Sequence, residues 1–156
     1  MKYSPVPTNT PHPMALRLGY LGMLPFVIFA ALTWMIPSQS NPDGHWYMTF
    51  FLSSYAAVSV SLLGGIHWGL AFHSTSPTPM AFIWGVLPPA VSWLGAVLPP
   101  HIGLIIHSIM LIACYLVDRK VYASEKASDW LTMRFRLTMV ASASCILAVI
   151  GTTFFR

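Results

Sequence analysis

The sequence predicts an all-α membrane protein, a bundle of about five transmembrane helices with its N-terminus in and its C-terminus out. Three observations predict it. Charged residues make up 8% of the 156 residues against 56% hydrophobic, and mean hydropathy is +0.66. A soluble domain carries roughly 25% charged residues, so this chain has too little charge to face water on every side. Five apolar runs are each long enough to cross a hydrocarbon core of about 30 Å at 1.5 Å per residue. None alternates polar and apolar residues as a strand does, and backbone groups in lipid must pair internally, so the runs are read as helices.

The stretch 1–15, rich in Pro, Thr and Asn, is expected to be a polar N-terminal tail. A single domain follows over 16–156, with helices at approximately 16–36, 46–72, 80–98, 101–117 and 130–155. The first run exceeds a signal-peptide core and has no convincing small-residue cleavage site after it, so it reads as an uncleaved helix. Pro37–Gly44 and His73–Pro79 are turn-rich loops, Pro99-Pro100 closes the third run, and charge is dense only between Asp118 and Asp129. Within the runs, Pro25 and the pair Pro88-Pro89 each remove an intrahelical hydrogen bond and are expected to kink their helices.

Orientation follows from the basic residues. Lys2, Arg17, Arg119, Lys120, Lys126, Arg134 and Arg136 fall on one side, and only Arg156 on the other. The positive-inside rule places the first group in the cytoplasm. Trp34, Trp46 and Tyr47 would flank the outer boundary, with Tyr122 and Trp130 at the inner one. Ser128 is the expected N-cap of the last helix, with Asp129 in its first turn. The net charge of +4 therefore serves topology, and no nucleic-acid partner is expected.

The second helix carries the most informative pattern. Ala57, Ser61, Gly65 and Gly69 recur every four residues and form a ridge of small side chains, with Gly65 and Gly69 framing a GxxxG. Close backbone approach across such residues is a main source of helix association in lipid. The ridge serves either packing within the monomer, with Ser144, Ala148 and Thr152 of the last helix as one possible counterface, or self-association or contact with another membrane protein.

His67, beside Trp68, lies inside the same segment. A titratable group at this depth is a candidate site, as a haem ligand, a quinone hydrogen-bond donor or a proton carrier; the plainer alternative is an imidazole bonded to a neighbouring helix. His107 lies roughly 15 Å away along the membrane normal at 1.5 Å per residue, too far to share an iron with His67. His45, His101 and His107 are closer in depth on the outer side and leave an outer-leaflet metal or haem site as an alternative, although their spacing matches no ligand signature. Cys114 and Cys145 lie in apolar runs and read as small buried hydrophobes. There is no catalytic signature of the HExxH, GxSxG or phosphate-loop kind, and no carboxylate is placed mid-membrane. No catalytic residue, metal or cofactor is assigned, and an enzyme is not expected.

Leu18-Gly-Tyr-Leu-Gly22, Leu24-Pro-Phe26, Tyr55-Ala-Ala57 and above all Leu63-Gly-Gly-Ile-His-Trp-Gly69 resemble the domain of unknown function 3429 family. That family comprises small bacterial inner-membrane proteins and includes transmembrane protein 69 of mitochondria. The proline-bearing third helix, Asp118-Arg119 at the end of the fourth, and Trp130, Arg134 and Arg136 opening the fifth fit the same resemblance. It implies a five-helix bundle in an energy-transducing membrane, and it implies no particular activity. The expectation is a non-enzymatic accessory or assembly subunit of a membrane complex, respiratory complexes included. The alternative is a small haem- or quinone-binding protein using His67, and a third reading is a channel or transporter subunit. The lack of an Arg-rich transit segment favours a bacterial inner membrane over a mitochondrial one. A reporter active only outside the cytoplasm, fused after Arg156, is expected to be active, and the same reporter in the 118–129 loop silent; the reverse pattern would overturn the orientation.

Overall fold

The computed structural model describes residues 12–124 and 129–154. Lys2, Lys126, Ser128 and Arg156 lie outside the described residues, as do the side chains of Tyr122 and Asp129. The chain forms α1 (Pro13–Leu21), α2 (Leu24–Met35), α3 (Pro42–His73), α4 (Pro79–Val97), α5 (Pro100–Ser124) and α6 (Asp129–Phe154), with no strand among the described residues. Counting α1 and α2 as one interrupted span, five helices are long and apolar enough to cross a membrane. Large apolar side chains cover the outside, among them Val58, Leu62, Trp93 and Val97. Such a surface is stable against lipid, not water.

The elements depart from the sequence expectation in four places, each for a local reason. α1 opens at Pro13, inside the stretch expected to be a polar tail, with His12 as its cap and a proline in its first turn. Residues expected to form the Pro37–Gly44 loop instead open α3 four residues early: Asn41 Oδ1 accepts from Gly44 N at 2.9 Å, Pro42 follows the cap, and Asp43 sits in the first turn. Asn-Pro-Asp-Gly can make a turn, but it also supplies a cap, a proline at N1 and an acid near the positive helix end. The first span breaks at Gly22-Met23, because Pro25 has no N–H to continue the ladder. Tyr55 of α3 donates its hydroxyl to Gly22 O at 2.9 Å, which satisfies backbone exposed by the break. Lastly, α5 runs past Val117 to Ser124, so Asp118 lies within a helix. Pro88 and Pro89, in contrast, sit inside an uninterrupted α4.

The spans close into a ring in sequence order: α2 packs on α3, α3 on α4, α4 on α5, α5 on α6, and α6 returns to α2. Contact between α3 and α5 braces the ring across its middle. The core lies along that brace, with Leu52, Val60, Leu104, Cys114 and Cys145 essentially inaccessible. Both cysteines are free. Trp34 fastens α2 to α6 by donating Nε1–H to Leu147 O at 3.0 Å, its ring lying over Gly151.

Glycine sets how closely the central helices approach. A Cβ at Gly64 would stand 2.7 Å from Gly85 O and from Pro89 Cδ. Pro89 cannot donate to Gly85 O, so α3 presses its barest position against an α4 carbonyl that lost its intrahelical partner. A Cβ at Gly95 would stand 2.8 Å from His107 Nε2, and one at Gly103 would stand 2.7 Å from Ser53 Oγ. Gly65 and Gly69, by contrast, have nothing within 4 Å of such a Cβ. Adjacent glycines thus do opposite things. Gly64→Leu is expected to abolish the cooperative thermal transition of the detergent-solubilised protein, whereas Gly65→Leu is expected to shift its midpoint by no more than a few degrees.

Candidate functional site

At the end of the bundle where α3 and α5 finish and α6 begins, three ionisable side chains meet. His67 of α3 places Nε2 3.0 Å from Asp118 Oδ1 of α5. Arg134 of α6 donates Nε–H to Asp118 Oδ2 at 2.9 Å, and its Nη2 donates to the same oxygen. All three residues are buried, at 4%, 1% and 7% exposure for His67, Asp118 and Arg134. The sequence alone did not predict this cluster. It treated Asp118 as the close of a helix and Arg134 as a topological charge, because Asp118-Arg119-Lys120 interrupts the apolar run.

The arrangement answers the cost of burying charge. An isolated carboxylate or guanidinium in a low-dielectric interior is heavily penalised, and a pair with satisfied hydrogen bonds is tolerated. Arg134 neutralises Asp118, and His67 occupies the oxygen that Arg134 leaves. A carboxylate can only accept, so the His67 proton lies on Nε2. In the neutral ring Nδ1 then carries a lone pair. Nδ1 makes no hydrogen bond among the described residues and is not among the fully enclosed polar atoms left without one.

His67 lines a half-open cavity of about 520 Å³ between the ends of α3, α4 and α5. Its other walls include Ala71, Met80, Trp84 and Val117, and they are mostly apolar. Trp84 meets His67 edge to face at 6.4 Å between ring centroids, and Trp84 Nε1–H is buried without an acceptor.

Trp68, the sequence candidate beside His67, does not share this cavity. It points outward at 40% exposure, donates Nε1–H to Phe82 O at 2.9 Å, and packs over Gly85 in a separate apolar groove. One step of 100° along the helix puts the two residues on different faces, and the aromatic partner of His67 is Trp84.

The small-residue ridge also divides. Ala57 and Ser61 are half-buried, and Ser61 Oγ bonds back to Ala57 O at 2.8 Å. Gly65 and Gly69 are exposed. They lie in an outward seam with Val58, Leu62 and Phe72, spaced alternately four and three residues apart. The counterface expected on the last helix does not meet them: Ser144 and Ala148 are buried in the bundle, and Gly65 and Gly69 have no neighbour there.

His107, His45 and His73 each bond to a backbone carbonyl. His107 Nε2 donates to Ser92 O at 3.1 Å, and Ser53 Oγ lies 3.4 Å from its Nδ1. His45 Nδ1 donates to Ile36 O at 2.7 Å, and His73 Nδ1 to Gly69 O at 2.9 Å. His45 and His101 line a small cavity at the opposite end, apart from His107. No group of three or more His, Cys, Asp or Glu able to hold a metal exists among the described residues.

Fold and site together define an all-helical, multi-pass membrane protein with a buried histidine–carboxylate–arginine cluster at one end. The model of the family described as protein of unknown function DUF3429 matches residues 11–150, and the chain belongs to that family. No curated protein and no solved structure matches it.

Removing one partner of the buried pair strands the other charge, which costs about 3–5 kcal/mol, whereas replacing both is often nearly neutral. Arg134→Met is therefore expected to lower unfolding free energy by about that amount, and Arg134→Met combined with Asp118→Asn to recover most of the loss. Additive losses in this double-mutant cycle, measured by denaturant unfolding in micelles, would show that the two side chains are not coupled.

Proposed function

We propose that the chain is a non-enzymatic accessory or assembly protein of a bacterial inner membrane, attached through α3 to a larger membrane complex, with respiratory complexes the first to test. The observation that carries this reading is the seam containing Gly65 and Gly69, which the monomer leaves uncovered. Close packing inside the bundle is already supplied by Gly64, Gly85, Gly95 and Gly103. Two further glycines at i and i+4 lower helix propensity by about 1 kcal/mol each relative to alanine, and no neighbouring atom lies within 4 Å of where their side chains would stand. Flanked by Val58, Leu62 and Phe72, they form a shallow notch into which a partner helix fits. Trp68 adds an aromatic contact at the same surface. The non-enzymatic part of the reading rests on the absence of a nucleophile–base arrangement at the histidine cluster.

A second reading, a small haem- or quinone-binding protein centred on His67, is supported by the cavity at that residue. Nε2, the nitrogen more accessible to an iron, is engaged by Asp118. Nδ1 remains, which favours a hydrogen-bonded ligand over a haem.

For the first reading, Gly65→Leu is expected to release the chain from its high-mass band on native gels while leaving the monomer folded. If that band also persists with Gly69→Leu, association does not use α3. A band containing only this chain would assign the seam to self-association.

A further inference from the structure

We propose that Arg17, Tyr20 and Arg136 form a binding site for the phosphate of an anionic phospholipid, on the outer surface where α1 lies against α6. The site is separate from the histidine cluster and from the α3 seam. Arg136 of α6 donates Nη1–H to the hydroxyl of Tyr20 on α1 at 3.2 Å. Arg17 stands one turn before Tyr20 on α1. Residues three apart share a helix face, with about 5–6 Å between their Cβ atoms. Gly19 lets the two helices lie close, since a Cβ there would stand 3.2 Å from Met133 Sδ of α6. Two guanidinium groups therefore flank one phenol. The hydroxyl oxygen accepts from Arg136, so its own hydrogen remains for a further acceptor.

The protein leaves this charge unmet. Both arginines are exposed, and both lie inside segments apolar enough to cross a membrane, Pro13–Met35 and Trp130–Phe154. Arg136 comes two helical turns after Asp129, the first residue of α6, about 10 Å along the axis at 1.5 Å per residue. Phe135 and Met139 beside it face outward, as do Leu18 and Leu21 beside Arg17 and Tyr20. Arg134, two residues away, has Asp118 as its partner. Arg17 and Arg136 have no carboxylate, because every ion pair among the described residues is made at Asp118. A guanidinium among lipid-facing apolar side chains requires an anion or a path to the headgroups. The anion that a bilayer supplies near its surface is a phosphodiester, whose two free oxygens match the guanidinium fork. The apolar side chains around the three residues take the acyl chains. A net-negative lipid is favoured over phosphatidylcholine, whose choline brings a further positive charge to a site that already holds two.

The experiment uses the full chain in a mild detergent, with bound lipid counted by native mass spectrometry. The probes are phosphatidylglycerol, phosphatidylcholine with the same acyl chains, and glycerol 3-phosphate as the soluble phosphate. Phosphatidylglycerol is expected to bind at least about ten-fold more tightly than phosphatidylcholine, the effect of two basic residues at a membrane surface. Arg17→Gln combined with Arg136→Gln is expected to erase that preference. Arg17→Gln alone removes no protein partner, and it is expected to reduce the preference about three-fold at an unchanged melting midpoint, so the inference is tested even if Arg136→Gln disturbs the fold. Arg119→Gln with Lys120→Gln, exposed charges on α5, is expected to leave the preference intact. Equal binding of the two lipids overturns the inference, as does a preference that survives the double variant. An equal loss in the α5 variant overturns it in favour of diffuse surface charge. Glycerol 3-phosphate displacing phosphatidylglycerol at equal concentration overturns the lipid and assigns the site to a soluble phosphate.

Discussion

The carboxylate of Asp118 is the constraint around which the bundle is arranged. A single negative charge inside an apolar five-span protein must be met by a positive one and by hydrogen bonds, or the helix carrying it cannot pack. Its partners come from two other helices, 51 residues earlier in the case of His67 and 16 later in the case of Arg134. Apolar side chains alone would allow α3, α5 and α6 to slide or rotate past one another, because lipid solvates a leucine as well as a neighbouring helix does. The charged cluster admits one rotation and one depth for each helix.

Glycine supplies the second constraint, on distance. Where α3 meets α4, Gly64 lets the backbones approach until only a hydrogen separates them from an α4 carbonyl, and Gly95 and Gly103 do the same around His107. The polar cluster and the glycine contacts divide the work: one fixes how the helices are turned, the other how closely they lie. Between them they fix an interior whose essentially inaccessible side chains include Leu52, Leu104 and Val60.

Sequence reasoning reached the five spans because length and hydropathy determine them one at a time. It also reached His67 as the residue to watch, since a histidine at that depth requires a partner. What it missed depends on rotation and on pairing across helices. Gly64 and Gly65 are adjacent and chemically identical, and only the 100° between them decides which packs on α4 and which faces outward. Asp118 was hidden by its neighbours: Arg119 and Lys120 are exposed as expected, and nothing in a local window distinguishes the buried member of the three. Asn41-Pro42-Asp43 was ambiguous in kind, since the same residues make a turn or begin a helix. The break at Gly22 was visible as Pro25, but the hydroxyl that steadies it comes from Tyr55, which no spacing rule connects to it.

The position of Arg134 in the last span has a consequence for how the protein is made. Synthesis proceeds from the N-terminus, so α5 leaves the ribosome with Asp118 before its counter-charge exists. During that interval the carboxylate must remain in water beyond the headgroups or be sheltered by the insertion machinery. The basic run that follows it keeps this end of α5 near the membrane surface. In the folded chain α6 supplies both Arg134 to Asp118 and the Leu147 carbonyl to Trp34. A ribosome stalled between α5 and α6 would therefore leave Asp118 without Arg134 and Trp34 without Leu147.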